Sequence, residues 1–375
     1  MAERKSPTHE VLVVCPPGLE SVVADELDSL RVRHTRAEKG GVSCRLTTRQ
    51  LYAANLFLRC ATRLLVRVGR FEARSFTELE EAAARIDWAP WLGTNTSPRF
   101  RVTTHRSRLW HDAAVAERLS RVLGDRALTD REQLVVVRAV GNRFTVSADS
   151  SGAPLHERGW RQATARAPLR ESVAAGLLAA SSWNSGSPLV DPMCGSGTIA
   201  IEAALLASGM AAGSGRPMAF HEWPSFQPGT WASVTAEADN RRSEARDPVP
   251  ILAVDRDAGA VESARANAQR AGVSSLIEWR TGAISDLTPP STHPEIPGLV
   301  LTNPPWGGRL STGGDLRNLY ATFGRVVRDR FEGWRIGVLI ADRGLARQIR
   351  PGLSETLRLE LGGRRAWLLT GPAGR

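Results

Sequence analysis

Asp191-Pro192-Met193-Cys194-Gly195-Ser196-Gly197-Thr198 follows a short apolar run, Pro188-Leu189-Val190, and leads into a helical run over 199–207. That order is a strand, a glycine turn and a helix. Glycines at 195 and 197 let a ligand approach the backbone, because no Cβ stands in the way. The helix start beyond them presents unpaired N–H groups. A phosphate-binding loop would end in Lys-Ser or Lys-Thr, and this one does not. The second glycine pair of a dinucleotide fingerprint is missing as well, since Ile201-Glu202 follow. An acidic residue at the strand end suits a ligand that carries a cationic amine, and S-adenosylmethionine (SAM) has that chemistry.

A second stretch narrows the chemistry. Residues 299–302, Leu-Val-Leu-Thr, read as a buried strand, and Asn303-Pro304-Pro305-Trp306-Gly307 follow. A Pro-Pro pair cannot continue a central strand. It makes a rigid turn at the strand's C-terminal edge, where open α/β sheets bind ligands. Asn303 offers a side-chain carbonyl and Pro304 a backbone carbonyl, two acceptors able to hold one NH₂ group. Trp306 adds a flat face on which a base can stack. The motif resembles the Asn-Pro-Pro-aromatic signature of SAM-dependent methyltransferases that modify exocyclic amines of nucleobases.

The composition agrees with a nucleic-acid partner without requiring one. The chain has 375 residues, a net charge of +10 and a pI near 10.6. Lysine occurs only at 5 and 39, so nearly all the positive charge is arginine, whose planar fork suits phosphate and stacks on bases. A GC-rich genome explains that ratio but not the net excess. The four cysteines, at 15, 44, 60 and 194, lack zinc-ligand spacing, and no histidine pair has metal-ligand spacing, so no metal site is expected. The first ten residues are polar, and no apolar run reaches spanning length. The expectation is a cytoplasmic protein away from membranes.

Along the chain, a strand at 11–15, a helix opened by Pro17-Gly18-Leu19-Glu20, strands at 31–36 and 41–46, a helix capped by Thr47 and Gln50, and a strand at 62–69 give a β-α-β-β-α-β order. That order predicts a ferredoxin-like unit. A capped helix from Ser75, a strand at 99–104, a helix at 111–123 and a hairpin across Gly141-Asn142 predict a second α/β module. The first 150 residues carry 24 Lys and Arg against 18 Asp and Glu, an excess of 6. From Pro168 onward, strands and helices alternate through 350, the pattern of a doubly wound sheet, interrupted by a Gly-, Pro- and Trp-rich insertion at 209–248.

The order of motifs over nearly the whole chain resembles the THUMP-containing RNA methyltransferases. It runs from Pro17-Gly18-Leu19-Glu20 through Ser147-Ala148-Asp149-Ser150-Ser151-Gly152, Leu155-His156-Glu157-Arg158-Gly159-Trp160-Arg161 and Ala167-Pro168-Leu169-Arg170-Glu171 to the two motifs above. Within that superfamily it is similar to the members that make N2-methylguanosine in tRNA or large-subunit (23S) rRNA. The resemblance implies an α/β protein: a ferredoxin-like domain over 1–70, a THUMP domain over 71–152, a linker over 153–170 and a Rossmann-type, doubly wound methyltransferase domain over 171–375. It implies a monomer acting on RNA, with tRNA the first substrate because THUMP domains of the family bind its acceptor end.

By the same resemblance Asp191, Pro192, Gly195, Gly197 and Thr198 hold SAM, with Pro168 and Leu169 beside them. Asp255, at the end of the strand at 251–254, can accept both hydrogen bonds of a ribose diol; Asp257 reads as a helix cap. Two departures stand out. Ala283 occupies the place where the family carries an acid near the adenine amine, leaving Asp286 or a backbone carbonyl as substitute, with a turn cap as the ordinary reading of Asp286. Trp306 stands where Tyr or Phe is usual. Asn303, Pro304 and Trp306 are the catalytic candidates. Arg99, Arg101, Arg106 and Arg108 are candidate phosphate contacts, and Arg309 is either another or a surface arginine. The competing readings are an amine methyltransferase acting on another substrate, and a non-catalytic RNA-binding factor with a relic domain.

Overall fold

Val11 and Val13 leave the first strand, β1 (Thr8–Val14), on one side, and both are fully buried, as period-2 alternation requires of a strand with one covered face. The computed structural model describes residues 7–124, 131–162, 169–244, 250–290, 296–306, 313–350 and 352–374, and the side chains of 313–315 are outside that description. After β1 come α1 (Glu20–Ser29), β2 (Arg36–Glu38), β3 (Gly41–Thr47), α2 (Thr48–Phe57) and β4 (Arg63–Glu72). Thr47 caps α2 through the reciprocal Thr47–Gln50 box, as its spacing predicts. Then follow α3 (Phe76–Ala84), β5 (Ser97–His105), α4 (Asp112–Val122), β6 (Glu132–Val140) and β7 (Arg143–Asp149).

These strands form one sheet in the order β2-β3-β1-β4-β7-β6-β5. Strand β4 joins its two halves: Arg63 to Val66 pair with β1, and Leu65 to Glu72 pair with β7. The expected module boundary at 70 therefore falls inside a strand that serves both modules. The strand expected over 31–36 is absent. Arg31 and His34 sit at φ of 58° and 60°, a left-handed conformation that interrupts extended backbone, and pairing begins only at Arg36.

The second half contains α5 (Glu171–Ala180), β8 (Leu189–Asp191), α6 (Thr198–Ala207), α7 (Pro228–Ser243), β9 (Ile251–Asp255), α8 (Ala258–Arg270), β10 (Ile277–Thr281), β11 (Leu299–Thr302), α9 (Gly313–Arg330), β12 (Arg335–Ile340), α10 (Arg343–Ile349), β13 (Ser354–Leu361) and β14 (Arg364–Pro372). Its sheet runs β10-β9-β8-β11-β12-β14-β13, parallel from β10 to β12 and antiparallel at β14 and β13. The chain moves outward from β8 to β10, then returns to place β11 on the other side of β8. This reversal point is where such sheets open a crevice. The closing β13–β14 hairpin around Gly362-Gly363 was not anticipated, although the Gly-Gly pair, with φ of 56° and 76°, is a turn signal.

Contacts in several places join the two halves. The Pro16-Pro17-Gly18 turn lies along β13: Glu360 N–H donates to the Pro17 carbonyl at 3.2 Å, and Lys39 pairs with Glu360 at 3.1 Å. The insertion brings Phe220 onto Tyr52, ring centroids 4.3 Å apart, and the Trp223 indole N–H donates to Gln133 at 2.6 Å. Glu202 of α6 meets Arg59 and Arg158 in the interior.

Gly18 has φ of +101°, and a Cβ there would lie 1.9 Å from the Arg358 carbonyl oxygen. Gly18→Ala is expected to lower unfolding stability by about 2–3 kcal/mol through backbone strain and collision. Urea denaturation followed by tryptophan fluorescence measures it, and an unchanged midpoint would show that the turn does not need to lie against β13.

Candidate active site

Asp191 ends β8, and β8 pairs in parallel with β11 through Val190 opposite Val300. Carrying that register forward places Leu301 beside Asp191 and Asn303 two residues beyond. The glycine loop and the Asn303 motif therefore meet at the reversal point of the sheet. Neither motif predicts the other's position; the strand order brings them together.

The loop is held from several sides. Gly195 has φ of 51° and a Cβ there would meet open space, whereas a Cβ at Gly197 would stand 2.9 Å from the Ala264 methyl. Gly195 thus leaves backbone open to a ligand, and Gly197 permits close packing of α8. Both oxygens of Asp255 accept from the backbone: Oδ2 from Gly195 N–H at 2.9 Å and Oδ1 from Asp257 N–H at 3.0 Å. Each oxygen keeps a second lone pair for a diol. Asp257 caps α8, as expected, by accepting from Gly259 and Ala260. Asn267, fully buried on α8, donates to the Ser196 carbonyl at 3.2 Å.

Arg161 supplies a support that the sequence reading did not single out. It donates to Glu171 at 2.9 Å, to the Leu169 carbonyl at 2.8 Å and to the Thr198 hydroxyl at 2.9 Å. Thr198 and Leu169 are therefore tied to the linker, and their place beside the loop is fixed by a guanidinium. Pro192 is buried in the loop itself. Pro168 and Arg309 lie outside the described residues.

Asp191 is almost fully buried. Burial pushes its carboxyl up to about 7, the nearby Asp255 carboxylate adds to the rise, and the Thr302 hydroxyl and Met193 N–H oppose it. A buried carboxyl in this state gains most from a cation placed beside it. That fits the α-ammonium of SAM. The free protein holds the Asp191 proton more tightly than a complex with a cationic ligand would, so binding releases a proton. SAM affinity is then expected to weaken as pH falls below about 7, by up to roughly tenfold per pH unit. Calorimetry in buffers of different ionisation enthalpy reads that proton directly. A pH-independent affinity from 8 down to about 5 would remove Asp191 from the ammonium site.

At the other motif, Asn303 Oδ1 is shielded from solvent and has no hydrogen-bond partner. A buried acceptor left open costs about 1–3 kcal/mol unless a ligand fills it. The Pro305 carbonyl is occupied, accepting from the Tyr320 hydroxyl at 3.1 Å. Of the two acceptors named from the sequence, Asn303 Oδ1 is thus open, and the Pro304 carbonyl has no donor among the described residues. Trp306 is half-buried, and its indole N–H donates to the Leu339 carbonyl of β12 at 3.0 Å, which fixes the plane of the ring. A small hollow beyond β9 and β10 is lined by Val254, Arg280, Gly282, Ala283, Asp286 and Leu287. Asp286 is the acid at that hollow, on the short turn Ile284–Asp286.

The arginine candidates separate. Arg99 is engaged with Glu132 across β5 and β6 at 2.9 Å. Arg101, Arg106 and Arg108 are exposed and have no acidic partner among the described residues.

Residues 158–359 match the family model described as RMKL-like, methyltransferase domain, and residues 10–65 match the RlmL ferredoxin-like domain. The chain is 32% identical over 368 residues to the ribosomal RNA large subunit methyltransferase K/L of Aliivibrio salmonicida, an alignment covering 94% of this chain and 52% of that protein. The chain thus spans about half the length of this curated relative. Among solved structures, SMU.472 complexed with SAH superposes with a TM-score of 0.88 at 26% identity, covering 99% of this chain and 100% of that one. A predicted N6-adenine-specific DNA methylase from Listeria monocytogenes gives 0.86 at 29% identity, covering 98% and 97%.

Proposed function

The chain belongs to the RMKL-like methyltransferase family, and from that premise we propose that it transfers a methyl group from SAM to the exocyclic N2 of a guanosine in RNA. The observation that carries this reading is the shielded, unpartnered Asn303 Oδ1 at the sheet reversal, next to the Pro304 carbonyl. SAM supplies the electrophilic methyl group. The guanine N2 lone pair is delocalised into the ring and is a poor nucleophile. Hydrogen bonds donated by the amine to Asn303 Oδ1 and to the Pro304 carbonyl localise that pair on nitrogen. Trp306, held by its indole bond to Leu339, stacks a base turned out of the RNA. Positioning supplies most of the acceleration. No strong base is needed, since the cationic amine product loses its proton readily to water.

Asp191, Pro192, Gly195, Gly197, Thr198 and Leu169 form the cofactor bed in this reading. Asp255 takes the ribose, and Asp286 takes the adenine amine in place of an acid at 283. The segment over 71–152 acts as a THUMP domain. The relative's name moves large-subunit rRNA ahead of tRNA as the first substrate to test. Labelled SAM, the purified protein and separated rRNA and tRNA from a strain lacking this gene provide the assay, with nucleosides identified by mass spectrometry. N2-methylguanosine in the large-subunit RNA is the expected product. N6-methyladenosine, or no transfer to either RNA while SAM still binds, would reject the guanine-N2 assignment.

A further inference from the structure

The last residue of β12, Ile340, pairs with Trp367 of β14. The β13–β14 hairpin continues past that point. Leu359, Glu360 and Leu361 run on along one strand and Arg364, Arg365 and Ala366 along the other, closed by Gly362-Gly363. Strands rise about 3.4 Å per residue, so the hairpin stands roughly 10 Å beyond the end of β12. Strands β11 and β12 are parallel, with Thr302 opposite Val338. The overhang therefore rises from the same edge of the sheet as Asn303 and Trp306.

Alternation decides which side chain of the hairpin faces the site. Leu339, Leu359, Ala366 and Leu368 are buried in the core shared with α5 and α6, and Trp306 and Leu361 pack against that core. Ile340, Trp367 and Leu369 belong to the core on the other face. Arg364 shares the parity of Ala366 and Leu368 and stands opposite Leu361, so it lies on the Trp306 side, and Arg365 lies on the other. Leu339, whose carbonyl accepts from the Trp306 indole, pairs with Leu368. Arg364 is four residues along β14 from Leu368, about 14 Å. An extended arginine and the sugar-phosphate of a base stacked on Trp306 close that distance between them.

Arg364 is exposed and has no acidic partner among the described residues. Its basic neighbours are engaged: Arg343 and Arg358 with Glu355, while Arg365 faces Glu360 across the ladder. The hairpin is also held firmly. Glu360 binds the Pro17 carbonyl through its N–H and Lys39 through its side chain. The two-residue turn has both glycines at positive φ, the form that matches the twist of the flanking strands. A Cβ at either glycine would meet nothing within 4 Å, so the tip stands clear of the rest of the described chain.

We propose that Arg364 grips the phosphate beside the target nucleotide, so that the β13–β14 hairpin holds the RNA strand at the lip of the crevice while Trp306 stacks the base. The proposal rests on the RNA reading above and deepens it. A base leaves its stack only when its backbone rotates, and a fixed cation at phosphate distance from the stacking face holds the rotated backbone in place. The guanidinium suits that task, because its planar fork can meet two phosphate oxygens at once. A phosphate contact carries no sequence information, so the choice of guanine stays with Asn303 and Pro304.

The test is steady-state methyl transfer from labelled SAM to the RNA that accepts methyl in the assay above, over a range of salt. Wild type, Arg364→Ala, Arg364→Lys and Arg365→Ala are compared, with SAM affinity measured by calorimetry. Arg364→Ala is expected to lower kcat/KM for RNA roughly tenfold and to reduce its logarithmic salt slope by about one unit, with SAM affinity unchanged. Arg364→Lys keeps the charge and recovers part of the rate and of the slope, which a variant that merely disturbed the fold would not do. Arg365→Ala, on the other face, keeps the wild-type rate and slope. If Arg364→Ala matches wild type, or Arg365→Ala loses as much as Arg364→Ala, the phosphate grip is wrong while methyl transfer to RNA stands. Wild type that binds SAM and methylates no RNA overturns this proposal together with the RNA reading.

Discussion

Asn303→Ala is expected to lower kcat for methyl transfer by roughly 10²–10³-fold while SAM affinity changes by less than about twofold. The argument rests on which groups the variant removes. Asn303 Oδ1 has no partner in the free protein, so its loss breaks no internal bond and should not unfold the site. Asp191, Asp255 and the glycine loop are held by other contacts, among them Asn267 and Arg161. What disappears is one of two acceptors that concentrate the amine lone pair, an interaction that strengthens as positive charge develops on nitrogen. Such an interaction appears in kcat rather than in cofactor binding. Asn303→Asp keeps an acceptor and is expected to retain more activity than Asn303→Ala. Single-turnover transfer to the identified RNA, beside SAM calorimetry on the same variants, makes the comparison. Full activity in Asn303→Ala would reject the scheme; loss of SAM binding in step with activity would assign Asn303 to the cofactor.

The sequence made the local chemistry of this site legible and left its supports hidden. Asp191, Gly195, Gly197, Asn303 and Pro304 stand out because glycine frees the backbone and proline restricts it in ways readable one residue at a time. The same is true of Thr47 and Asp257, whose cap roles depend on neighbours within three residues. The supports depend on tertiary placement. Arg161 lies in a stretch without periodicity, and nothing local shows that its guanidinium joins Glu171, Leu169 and Thr198. The single sheet shared by both N-terminal modules could not be foreseen from a β-α-β-β-α-β order, because pairing of β4 with β7 is long-range. A signal did exist for Glu202: it is the one charged residue in the apolar run Thr198 to Ala207. A lone acid in such a helix is either misplaced or paired, since burying an unpaired charge is costly.

Glu202→Ala is expected to lower unfolding stability by about 3–5 kcal/mol, more than any other single change considered. Glu202 is fully buried on α6, with Arg158 Nε at 3.3 Å and Arg59 Nη1 at 3.6 Å. The two arginines come from different parts of the chain, Arg59 from the loop between α2 and β4 and Arg158 from the linker, so one carboxylate holds three segments together. Arg158 also donates to the Arg59 carbonyl at 2.6 Å and to the Leu155 carbonyl at 2.5 Å, and Arg59 donates to the Leu205 carbonyl at 3.3 Å. Those bonds satisfy only part of the guanidinium hydrogens, since Arg59 Nη1 keeps no hydrogen-bond partner, and none of the charge. Removing Glu202 leaves Arg158, almost fully buried, without its carboxylate, and leaves Arg59, largely buried, with only Glu26 nearby. Glu202→Gln keeps the shape and loses the charge, and should fall between wild type and Glu202→Ala. Coupling is the sharper test. Removing Arg158 together with Glu202 leaves less uncompensated charge, so Arg158→Met with Glu202→Leu should cost less than the sum of the two single changes. Urea denaturation of the four proteins measures that cycle, and additive losses would show that Glu202 acts by filling space rather than by joining the N-terminal sheet to the catalytic half.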